Sequence, residues 1–207
     1  MNAPLSQDLL HELQGPQLAS IGRQLGLSPD QTSGAVSAAL PLLLGTLGHN
    51  AQQPGGAQSL YSALERDHAG LDIGGVLGSV LGGGGQGEQI LGHVFGNRGN
   101  NAAQGLGAAT GLGQSQAGSL LKMLAPIVLA YLARRTFSQQ GSATPQALGS
   151  MLGSEQDHIR QQGGAPGGLL GAVLDRDGDG DTDFSDLVGL AGTFMGGGSA
   201  GRDQPRT

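Results

Sequence analysis

Two apolar segments lie 85 residues apart and carry a proline at the same place. "GLSPDQTSGAVSAALPLLLGTL" (26–47) aligns with "GLGQSQAGSLLKMLAPIVLAYL" (111–132), so that Gly26, Leu27, Gln31, Pro41, Leu44 and Leu47 match Gly111, Leu112, Gln116, Pro126, Leu129 and Leu132. A proline inside an apolar helix removes one backbone hydrogen bond and crowds the preceding turn, so each segment is expected to hold a helix kinked or broken there. The shared Gly-Leu reads as the C-terminal glycine of one helix followed by the start of the next. In the first segment Ser28 suits the N-cap, with Pro29 at the first helical position and Gln31 at the third.

A second match joins "ALERDHAG" (63–70) to "VLDRDGDG" (173–180) at an offset of 110, which places about twenty-five extra residues in the second copy, between Ser138 and Gly168. The chain therefore reads as an N-terminal helix or arm (1–16), a first helical unit with the connector "GQGEQILGHVFGNRGNN" (17–102), a second unit (103–198) and a disordered tail (199–207). Each unit runs helix, kinked helix, short helix, acidic loop, Gly-rich helix. Aromatic residues are 3% of the chain against 37% hydrophobic, so the core must come from Leu, Ala, Val and Ile. With few alternating β-branched runs, the fold class is an all-α bundle of two duplicated units.

The acidic repeat of the second unit carries the one motif with chemistry in it. "DRDGDGDTDFSD" (175–186) puts Asp175, Asp177, Asp179, Asp181, Asp183 and Asp186 at positions 1, 3, 5, 7, 9 and 12, with Gly180 at position 6. That is the ligand spacing of an EF-hand-type loop: carboxylates at alternating positions converge on one Ca²⁺, position 7 offers its carbonyl, and the glycine allows the sharp turn. Mg²⁺ is a competitor for such an all-oxygen set. The plainer reading is a solvated acidic loop. Asp186 is shorter than the usual Glu at position 12, and Thr182 stands where paired loops place an aliphatic residue, so weak affinity and an unpaired loop are expected. In the first unit Glu65 and Asp67 hold positions 1 and 3, but Ala69 and Leu71 break the set, and no tight site is expected over 65–72.

Other signals exclude more than they suggest. Six of the sixteen acidic residues lie in the loop and the other ten balance ten Lys and Arg, which leaves no basic footprint for nucleic acid. There is no cysteine for a disulfide or a thiolate site. The amino-terminal run has no basic start and apolar core, so no secretory signal is read and a cytoplasmic location is expected. The stretch Leu120 to Ala133 is interrupted by Lys122 and Pro126 and is shorter than the ~20 residues of a membrane span, so it reads as a core helix. Gly82, Gly84 and Gly87 satisfy GxGxxG but follow a helical run rather than a strand. His11, His49, His68, His93 and His158 have no metal spacing, and His93 in "ILGHVFG" reads as a core or interface residue. Gly74, Gly78 and Gly82 form a smooth helical stripe, read first as internal packing.

Taken together, "LSPDQ…ALPLLLGTL", "ALERDHAG", "ILGHVFG" and "MLAPIVLAYLARR" resemble an uncharacterised bacterial domain-of-unknown-function family related to YidB, over about Leu18 to Phe194. The resemblance implies a helical bacterial protein and no particular activity. "DLVGL" after the acidic loop resembles the exit of a dockerin loop over about twenty residues, too little to carry over cohesin binding. The expectation is a non-enzymatic Ca²⁺-binding helical protein with a structural, scaffolding or interaction role, whose partner is an unidentified protein or itself. The alternative is an amphipathic module that associates with a membrane, a lipid surface or another copy.

Overall fold

The computed structural model describes residues 4–68, 73–82, 86–138 and 143–161. Among these every regular element is helical and none is a strand, so the protein is all-α. In chain order the helices are α1 (Leu5–Glu12), α2 (Pro16–Leu25), α3 (Pro29–Gln52), α4 (Gly56–Ala63), α5 (Ile73–Leu81), α6 (Gln86–Phe95), α7 (Gly99–Thr110), α8 (Gln114–Phe137) and α9 (Pro145–Gln161). A π-helical turn (Leu64–His68) continues α4 and a 3-10 turn (Gly96–Arg98) joins α6 to α7.

The centre of the bundle is α3 packed against α8, the two segments that match in sequence. Each is 24 residues long, and each begins after a glycine in the left-handed region: Gly26 at φ 66° and Gly111 at φ 74°. An L side chain is disfavoured at such a φ, so these glycines allow the chain to reverse between helices. At α3 the capping box forms as its sequence implies, Ser28 Oγ accepting from the Gln31 N–H at 3.3 Å and Gln31 Oε1 from the Ser28 N–H at 3.1 Å. Gly113 gives α8 only half of this. Gln116 Oε1 accepts from the Gly113 N–H at 3.3 Å, while its Nε2 donates across the bundle to the Leu25 carbonyl at the end of α2.

Of the kink or break expected at each proline, the break does not occur: Pro41 and Pro126 each lie inside one continuous helix. The physical reason is visible at Pro126. Its missing N–H leaves the Lys122 carbonyl without its helical donor, and the backbone of α6 lies directly against that carbonyl at Gly87. A Cβ on Gly87 would stand 2.2 Å from the Lys122 oxygen. The same joint is tied outside by Lys122 Nζ to Glu88 Oε2 at 3.3 Å. Covering the released carbonyl with a glycine backbone lets the helix carry its proline inside the core.

Around this pair α3 is clad by α1, α2, α4, α7 and α9, and α8 by α5, α6, α7 and the π-helical turn. The connector between the units supplies α6, which buries Leu91, Val94 and Phe95. One sequence expectation is corrected here. The glycine stripe of α5 is not internal packing among the described residues: Gly74, Gly78 and Gly82 are exposed, and a Cβ at Gly78 would meet nothing within 4 Å. The stretch assigned the extra residues of the second unit contains α9, whose Leu148, Leu152 and Ile159 join the core. By length and composition α8 could cross a membrane, with a mean hydropathy of 1.4, yet 78% of that window is buried within the protein.

Two glycines of the same helix test the joint at Pro126. Gly87→Ala is expected to lower stability by about 1–3 kcal/mol, because the atom it would strike is backbone. Gly92→Ala, with open space around the new methyl, should raise stability by about 0.5–1 kcal/mol. Urea denaturation of the two variants reads both signs.

Candidate functional site

Asp175, Asp177, Asp179, Asp181, Asp183 and Asp186, together with the EF-hand-like loop they would form, lie outside the described residues. Among the described residues no group of three or more His, Asp or Glu is placed to hold a metal. Of the first acidic segment, Glu65 is exposed on the π-helical turn that also contains the Asp67 backbone, while Ala69 to Asp72 lie outside the described residues. His93 is exposed rather than in the core, its Nδ1–H donating to the Gln89 carbonyl at 2.8 Å. His11 and His158 are also exposed.

Charged groups converge instead on α1. Its sequence, LSQDLLHE, together with Leu13 just beyond it, places Leu5, Leu9 and Leu13 on one stripe, and all three are buried. Pro4 occupies the N-cap and offers no side-chain acceptor, so the first N–H groups of the helix have no local partner. Glu155 of α9 supplies one. Its Oε2 accepts from the Leu5 N–H at 2.7 Å and its Oε1 from the Ser6 N–H at 3.0 Å, with the residue only 3% exposed. A carboxylate that spans two N–H groups at a helix start is stabilised both by charge-assisted hydrogen bonds and by the helix dipole.

Further along α1 the polar contacts come from the last turns of α8. Asp8 Oδ2 accepts from the Tyr131 hydroxyl at 2.8 Å and from Arg135 Nη1 at 3.5 Å. Glu12 accepts from Arg134 Nη2, and the Arg134 guanidinium stands 5.9 Å from the centre of the Tyr131 ring. Burial, the hydrogen bond to Asp8 and the Asp8 charge raise the Tyr131 pKa well above its ordinary value of 10. The phenol is therefore a fixed hydrogen-bond donor at neutral pH. Beside Glu155, Gln52 Nε2 donates to Gln156 Oε1 at 2.7 Å and ties α3 to α9.

This arrangement binds a helix. Glu155 receives its start, Tyr131 with Arg135 receives a carboxylate on its first turn, and Arg134 receives one a turn later. The Leu5, Leu9 and Leu13 stripe and the acids Asp8 and Glu12 are readable in the sequence as one amphipathic turn pattern. Glu155 and Tyr131 stand 150 and 123 residues from their partners, and no local pattern in the sequence marks them.

An all-α bundle closed by an N-terminal helix on its own α8 and α9 defines the structural class. Residues 7–135 match the family described as bacterial protein of unknown function (DUF937), and the chain belongs to that family. The match takes in Asp8, Tyr131 and Arg135 and ends before Glu155. No curated protein and no solved structure matches the chain.

Glu155→Ala removes the partner of one buried and one half-buried N–H group and is expected to cost about 2–4 kcal/mol of stability in urea titrations. Tyr131→Phe should cost about 1 kcal/mol at neutral pH. The alkaline limb gives an independent check. Because the folded phenol holds its proton above the pH at which an unfolded one ionises, its contribution is complete below about pH 10 and is lost as the pH rises toward the folded value. Tyrosinate absorbance of the folded protein should therefore show a late-ionising component that Tyr131→Phe deletes.

Proposed function

We propose that the protein is a non-enzymatic, Ca²⁺-binding helical protein with a structural or interaction role. The ion would be held by Asp175, Asp177, Asp179, Asp183 and Asp186, with position 181 contributing its carbonyl. The observation that carries this reading is the spacing of six aspartates at positions 1, 3, 5, 7, 9 and 12 about Gly180 in a chain otherwise balanced in charge. Six like charges in twelve residues repel, so cation binding and ordering of this segment would be one event. The finer kinship, to the YidB-related branch, and a cytoplasmic location belong to the same proposal, as does an interaction with another protein or another copy.

A second reading, association with membranes or lipid surfaces, has the length and hydropathy of α8 in its favour. The apolar residues beside the prolines, Leu40, Leu42, Leu43, Ala125 and Ile127, are buried, so this reading requires the bundle to open. Liposome co-sedimentation with and without Ca²⁺ separates it from the first.

Isothermal titration of the chelator-treated full chain with Ca²⁺, repeated in excess Mg²⁺, is expected to give one site per chain and a raised melting temperature. Asp175→Ala with Asp179→Ala should abolish both responses. An undiminished response in that variant, or no heat with the unsubstituted chain, would sink the Ca²⁺ assignment.

A further inference from the structure

We propose that the surface formed by α3, α8 and α9 is a binding site for a short amphipathic helix, filled here by the chain's own α1 and able to take α1 of a second copy. The proposal is independent of the Ca²⁺ reading. The site has three recognition elements. Leu5, Leu9 and Leu13 supply an apolar stripe, Glu155 takes the first two N–H groups of a helix that lacks its own side-chain cap, and cationic and hydroxyl donors face two acids one turn apart. The charges are complementary across the joint: Asp8 and Glu12 on the bound helix, Arg134 and Arg135 on its dock.

None of these contacts depends on α1 belonging to the same molecule. The polar ones join residues 122 to 150 positions apart, and they would be identical if the helix came from a neighbour. What holds α1 to its own dock is a turn of Leu13 to Gly15. It is closed by the Leu18 N–H donating to the Leu13 carbonyl at 3.0 Å. Gly15 stands at φ 81° and ψ −129°, a backbone region that L residues avoid. A Cβ at Gly15 would meet nothing within 4 Å, so a substitution there acts on backbone conformation and not on packing. In an exchanged dimer the turn opens and that restriction disappears, while every contact of the dock is kept. Glycine adopts this conformation without strain, so an L residue at position 15 is what would put the short hinge under strain, the ordinary condition for such an exchange.

The test is the full chain against Gly15→Ala, followed by size-exclusion chromatography with light scattering over a concentration series. Circular dichroism confirms helical content. Gly15→Ala is expected to raise the dimerisation constant at least ~10-fold, and an excess of a peptide of residues 4–15, which competes with the exchanged α1 for the dock, should dissociate the dimer. A Gly15→Ala chain that stays monomeric throughout, or a dimer indifferent to the peptide, overturns the proposal. Should this variant fail to fold, a fluorescein-labelled peptide of residues 4–15 is titrated into the unsubstituted full chain. Saturable binding that an Asp8→Ala, Leu9→Ala version of the peptide loses supports the site. Absence of saturable binding, or binding that the altered peptide retains, overturns it.

Discussion

The structure depends on covering two helices that are apolar on nearly every side. From Leu42 to Gly48 every residue of α3 is buried, as is every residue of α8 from Met123 to Ala133. A helix of this kind cannot rest on a single partner, because each uncovered Leu forfeits about 1.5–3 kcal/mol of burial. Pairing α3 with α8 covers one face of each and leaves the rest to the short helices. Each proline adds a second demand, a carbonyl released from the helix ladder. At Pro126 it belongs to Lys122 and is covered by Gly87. At Pro41 it belongs to Ser37, which is only half-buried and lies at the edge of the core. One fault is packed over, and the other is placed near water.

A core built from Leu and Ala specifies register weakly, since such side chains interlock in many ways. The polar contacts between helices carry that information here. Asn50 Nδ2 donates to the Val94 carbonyl at 2.7 Å and fixes α3 against the end of α6, while Gln116 fixes the start of α8 against the end of α2. Glu155 sets α1 along its axis, because only one placement presents two N–H groups to both of its oxygens. Each bond is directional and mostly shielded from water, so a slipped register would leave a donor or acceptor unmatched.

The local chemistry of the chain was legible where a single residue decides it. Gly26, Gly111, Ser28 and Gln31 act as their positions imply, and the all-α class follows from the scarcity of aromatic and β-branched runs. The offset of 85 extends further than the apolar segments indicate. Gly22 of α2 and Gly107 of α7 are separated by the same interval. A Cβ at Gly22 would stand 3.4 Å from the Leu27 carbonyl oxygen, and one at Gly107 would stand 2.8 Å from that of Leu112. Packing over long separations was not legible. Whether a glycine stripe faces in or out is decided by neighbours, and Gly78 ended outside. A proline's kink or break is the local expectation, and the glycine that covers the carbonyl released at Pro126 lies 39 residues away in the chain, where no local pattern marks it. The acidic loop is the reverse case, a strong sequence pattern whose residues fall outside the described ones.

The span that matches the family stops at Arg135, two residues before α8 ends. It contains α3, all but the last two residues of α8 and everything that grips Asp8, but not α9. That omission matters to α3, because α9 approaches it at backbone distance: a Cβ on Gly48 would stand 2.9 Å from the Leu152 carbonyl oxygen. Without α9 this face of α3 would meet water with a glycine and flanking leucines, and the first N–H groups of α1 would lose Glu155 in the same step. Closing the core over α3 and seating α1 are thus one packing event, performed by a helix beyond the matched span. The contacts made by Tyr131 and Arg135 orient α1, but the residue that satisfies its buried end arrives only with α9.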